Sequence, residues 1–139
     1  MRILMGISVL LIVAGCPSAS TTTSDHDVST QSLAGAWHGS NGGLSVSLTL
    51  QQVGDAVTGS GTFELAQNAS VGCGGETLPS KGTVKLSGKL QANEFQGRMT
   101  FADTWTPPFL ATRSRADSLI GHFMSVDRGG CPLVLVRQH

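Results

Sequence analysis

The sequence predicts an all-β domain, a small antiparallel up-and-down β-barrel of about eight strands, behind a signal peptide and a flexible linker. Three observations predict it. Apolar residues alternate with polar ones through much of residues 33–139, turn signals separate the alternating runs, and glycines recur inside them. Alternation with a period of two puts one face of a strand in a core and the other in water. No amphipathic helical pattern follows the first fifteen residues.

The expected strands are 33–39, 43–52, 56–64, 82–91, 94–102, 109–116, 118–126 and 131–137. Leu44, Val46, Leu48 and Leu50 alternate with Ser45, Ser47, Thr49 and Gln51. Val84, Leu86 and Leu90 alternate with Lys85, Ser87 and Lys89, and Phe95, Met99 and Phe101 with Gln96, Arg98 and Thr100. Gly54-Asp55, Ala92-Asn93, Pro107-Pro108 and Gly129-Gly130 mark turns. Short connections favour antiparallel neighbours, and closing the meander removes exposed sheet edges. Gly35, Gly59, Gly61, Gly88, Gly97 and Gly121 fall inside the expected strands, where they leave room for the sharp bends of a small barrel. The same alternation would also serve a two-sheet sandwich. Residues 65–81 form the longest interruption, of the kind that covers a barrel end or carries function.

Residues 1–15 stand apart. Met1-Arg2 precedes an apolar run from Ile3 to Val13, which is short of the about 20 residues a permanent span needs. Ala14 and Gly15 follow, completing the layout of a secretory signal peptide. Residues 16–32 contain one large apolar residue, Val28, among Ser, Thr and Asp, and read as a tether. The domain is then 33–139. The whole chain balances nine basic against nine acidic residues, and removing a leader with Arg2 leaves a charge near minus one. Nothing in that balance favours nucleic acid.

The segment Val13-Ala14-Gly15-Cys16 closely resembles the bacterial lipobox. The resemblance implies that the Cys16 thiol receives a diacylglyceryl group, that cleavage falls just before it, and that the new amine is acylated. Several acyl chains anchor far more firmly than one. Pro17 stands where an Asp would retain such a protein in the inner membrane, so the resemblance implies the periplasmic side of the outer membrane in a Gram-negative cell. Membrane lipid, through Cys16, is thus the first expected partner.

With Cys16 lipidated, Cys73 and Cys131 remain as an even pair in an exported chain, which points to a structural disulfide. Such a bond would add about 4 kcal/mol in the chain-entropy model.

No catalytic constellation is evident and no cofactor is expected. There is no G-x-S-x-G elbow, P-loop or dinucleotide fingerprint. His26, His38, His122 and His139 lack zinc-type spacing, so no metal site is expected. His38 is expected to face solvent. Arg113 and Arg115, two apart, are expected to share one strand face as a solvated outer stripe, with an anion site near Trp105-Thr106-Pro107-Pro108 as the alternative. The outer face reads as Ser, Thr, Lys and Gln, without an apolar docking patch.

Gly35-Ala36-Trp37 on the first strand and Arg137 at the end of the last resemble the calycin pattern of lipocalins and avidins. Gly54-Asp55 and Val57-Thr58-Gly59 are similar to avidins in rhythm. The resemblance implies a small barrel with one end closed by Trp37 beneath the Arg137 guanidinium. The Tyr and Trp set that avidins use for biotin is missing, so biotin binding is not implied. The expected function is a non-enzymatic, membrane-anchored envelope lipoprotein, a binding or structural module for an unknown protein. A carrier of a small apolar ligand is one alternative. A periplasmic protease or lysozyme inhibitor, by analogy of fold, is another.

Overall fold

The computed structural model describes residues 31–67, 78–124 and 131–139. Eight strands follow one another: β1 (Gly35–Asn41), β2 (Leu44–Val53), β3 (Ala56–Leu65), β4 (Lys81–Gln91), β5 (Glu94–Phe101), β6 (Pro108–Arg115), β7 (Ser118–Phe123) and β8 (Cys131–Arg137). Each pairs antiparallel with the next, and β8 returns to pair with β1. The sheet is therefore a closed up-and-down barrel, and the sandwich alternative is not realised.

Closure gives the barrel two ends. One carries the turns 53–56, 91–94 and 115–118, together with the start of β1 and the end of β8. Gly54 (φ 61°) and Ala92 (φ 52°) take the left-handed backbone that such tight hairpins require. The other end carries Gly42-Gly43, the β5–β6 connection, the ends of β3 and β7 and the starts of β4 and β8.

The inward register holds the core. Leu44, Val46, Leu48 and Leu50 of β2 are all buried, as are Val84, Leu86 and Leu90 of β4. Toward the second end, Phe101 packs edge-on to Phe63 and Phe123, with centroids 5.3 and 5.7 Å apart. Trp105 lies against Phe101 at 5.3 Å, drawn in by a bridge between these two residues. Tilted and edge-on aromatic pairs of this kind stabilise beyond their buried area.

Inward glycines make this filling fit. Gly88 and Gly97 face each other across β4 and β5, and the Phe95 ring lies over both. A Cβ on Gly97 would sit 2.3 Å from the Ser87 carbonyl oxygen and 2.7 Å from Phe95 Cζ. Eight strands enclose just enough room for their own side chains, and here large rings take the space that the glycines vacate.

Two boundaries differ from expectation. Pairing in β1 begins at Gly35, whose φ of 132° turns the chain into the strand. Leu33 lies before the strand and is fully buried. β7 ends at Phe123, and residues 125–126 of the expected strand lie outside the described residues.

Candidate functional site

The first barrel end is built around Trp37. Its ring is 1% exposed, and its indole Nε1–H donates to the Leu33 carbonyl at 2.8 Å. That bond folds the segment before β1 across the barrel mouth. The Leu33 N–H in turn donates to Gln52 Oε1 at 2.7 Å. The Arg137 guanidinium lies over the Trp37 ring, 5.1 Å from its centroid, within cation–π range. Arg137 Nη2 also donates to the Ser32 carbonyl. One strand end thus holds both the indole and the chain that enters β1.

Arg113 belongs to this end, contrary to the expected solvated stripe. It is 3% exposed, whereas Arg115 is exposed. Arg113 continues the inward register of Phe109 and Ala111, and a β-bulge beyond it turns Arg115 outward. Arg113 pairs with Leu119 and Arg115 with Ser118, so Ser114 has no place in the ladder and the facing reverses between the two arginines. Burial, and then the nearby charge of Arg137, hold the Arg113 pKa below the usual guanidinium range. Arg113 therefore lies at the opposite end of β6 from the Trp105–Pro108 loop, and the anion-site alternative has no geometry.

His38 points outward, with Nδ1 3.2 Å from Ser47 Oγ. His122 is half-buried on the outward register of β7. His26, Cys16 and Cys73 lie outside the described residues. Cys131 opens β8, packed against the core. Among the described residues, no group of three or more His, Cys, Asp and Glu side chains is placed to hold a metal ion.

The outer wall is divided into two faces. From β2 to β5 it is a grid of hydroxyl and charged side chains in register. Ser47 pairs with Thr62 and Thr62 with Thr83, while Thr49, Ser60, Lys85 and Thr100 form the next row. Lys85 there makes an exposed 2.8 Å ion pair with Asp103, a contact worth about 0–1 kcal/mol. A shallow groove of ≈ 500 Å³ runs along this face, lined by Thr49, Thr58, Ser60, Lys85 and Ser87.

The wall of β6 to β8 is apolar. Ile120, Val134, Val136 and Met124 are 52%, 40%, 43% and 47% exposed. Ile120 pairs directly with Val134, and Leu110 with His122, which pairs with Pro132. A groove of ≈ 170 Å³ borders Leu110, Thr112, Ile120 and His122. This corrects the expectation of a wall without an apolar patch. Leu133-Val134-Leu135-Val136 is apolar at consecutive positions, so β8 satisfies the core and leaves valines outside as well. A contiguous exposed apolar patch on a small domain marks an interaction surface more often than a single exposed residue does.

No protein-family model, curated protein or solved structure matches this chain. The fold defines the class, a small closed eight-stranded up-and-down β-barrel with a packed interior.

Proposed function

We propose that this protein is a membrane-anchored bacterial envelope lipoprotein whose barrel is a non-catalytic binding or structural module, acting through its outer surface. The observation that carries the reading is the filling of the barrel. Trp37, Phe63, Phe95, Phe101, Phe109 and Phe123 all occupy the inside at 2% exposure or less, while the grooves described above lie on the outer wall. A carrier of a small apolar ligand needs enclosed space, and these rings leave that alternative without support.

The anchor rests on Val13-Ala14-Gly15-Cys16 and the apolar run before it. Location on the periplasmic face of an outer membrane rests on Pro17. The Cys73–Cys131 disulfide belongs to the same proposal. Cys131 opens β8 against the core, and Cys73 is the cysteine left to pair with it once Cys16 carries lipid.

The anchor is tested by expressing the full chain in a Gram-negative host with radiolabelled palmitate. The native chain should incorporate label and sediment with membranes. Cys16→Ala should lose both, at least tenfold. Equal membrane retention by Cys16→Ala would contradict lipid anchoring at this cysteine.

A further inference from the structure

We infer that the apolar wall of β6, β7 and β8 is the face that this domain lays on the lipid bilayer to which its own Cys16 tethers it. The inference rests on the anchoring reading and adds an orientation to it.

The first support is where the tether leaves the barrel. The chain toward Cys16 departs at Ser32, whose carbonyl accepts from Arg137 at the end of β8. Val136, the residue before Arg137, pairs with His38 of β1 and begins the apolar wall. The path to the lipid therefore starts at the border of this wall. The sixteen residues from Cys16 to Gln31 extend at most about 55 Å. A tether of that length lets the wall beside its point of departure lie on the membrane without strain, and surface chemistry then holds that wall there.

Surface chemistry supports the same face. Strands β6, β7 and β8 contain no Asp or Glu, and among the described residues the acids that border them are Glu94 at the groove and half-buried Asp117 in the β6–β7 turn. Eight of their outward positions are Pro108, Leu110, Thr112, Ile120, His122, Pro132, Val134 and Val136, and the exposed Ser114 and Arg115 close the wall at the β6–β7 turn, where the cation suits anionic headgroups. In the closed ring β4 stands opposite β8, so the exposed Lys81, Lys85 and Lys89 lie on the far side. Anionic headgroups would attract these lysines, but only the apolar side chains of β6 to β8 gain from burial at the acyl boundary.

Size separates the bilayer from a second protein. Stable protein interfaces engage about 20–30 residues a side, well beyond these eight. A weak apolar contact suffices for a domain already tethered, because the tether sets a high effective concentration at the surface.

The test uses the full lipidated protein in vesicles of phosphatidylethanolamine and phosphatidylglycerol. A nitroxide is attached at Val134→Cys on the apolar wall or at Ser87→Cys on the opposite wall. Collision rates with dissolved oxygen and with a water-soluble nickel chelate are then compared. The oxygen-to-nickel ratio should be several-fold higher at Val134→Cys. The same contrast at Ile120→Cys provides a second reading should Val134→Cys fail to fold. Equal ratios on the two walls, in protein that co-sediments with the vesicles, overturn the orientation and leave the anchor standing. Spin–spin broadening at Val134→Cys would assign the wall to a second copy and also overturn it. Protein that carries no lipid and stays in solution overturns both readings.

Discussion

Trp37→Ala is expected to destabilise the barrel by about 3–5 kcal/mol, the range for removing a large buried aromatic side chain. Three contacts fail together. The core loses a ring that is 1% exposed, Leu33 loses the donor that folds it across the mouth, and Arg137 loses the surface on which it lies. Domains of this size hold about 5–15 kcal/mol in total, so much of the folded population is at risk. Each kcal/mol moves Tm by roughly 4–8 °C, so melting should fall by more than about 10 °C. Trp37→Phe keeps a ring in place and loses the indole donor, so it should cost clearly less. Chemical and thermal unfolding of the three forms gives the order. A loss below about 1 kcal/mol for Trp37→Ala would show that the ring does not close the barrel.

Gly61→Ala should have an effect of similar size by the opposite route. An added Cβ would lie 1.8 Å from the Ser47 carbonyl oxygen and 2.8 Å from its carbon. Both atoms are backbone of the neighbouring strand, so no side chain can rotate away. The β2–β3 ladder must part at the Gly61–Leu48 pair, where an added Cβ meets backbone. Overpacking costs about 1–3 kcal/mol and occasionally more, and rigid backbone on the far side places this site at the upper end. Thr62→Ala, one residue along and facing solvent, should stay within about 0.5 kcal/mol. Equal effects of the two substitutions in urea unfolding would refute close strand contact at Gly61.

These two sites also show what was legible in the sequence. Alternation in 44–50 and 84–90 states which face is buried, and the turn residues state where each strand stops, so an eight-strand meander can be read directly. Gly35-Ala36-Trp37 and Arg137 marked the two strand ends that meet, although nothing in the sequence gives the 5.1 Å approach. The inward facing of Arg113 follows from its alternation with Phe109 and Ala111, which the expectation of a shared outer stripe overlooked, whereas a bulge one residue long reverses the facing of Arg115 beyond it. Arg-Ser-Arg carries no signal for a bulge. The apolar wall was missed for a different reason. In β8, consecutive Leu and Val residues erase the period, so a strand with apolar residues on both faces looks merely hydrophobic. Which apolar residues become exterior is decided by ring closure, when β8 pairs with both β7 and β1.

Native mass spectrometry of residues 31–139, recovered from a bacterial periplasm, tests the central claim most directly. A barrel filled by its own side chains and acting through its outer wall should fly without a bound small molecule, at the same mass before and after denaturation. With the Cys73–Cys131 bond formed, that mass should be two hydrogens below the reduced chain. A stoichiometric small molecule that is present in the native spectrum and released on denaturation would contradict the account, because it would place a ligand where the rings of Phe95, Phe101 and Phe109 now pack.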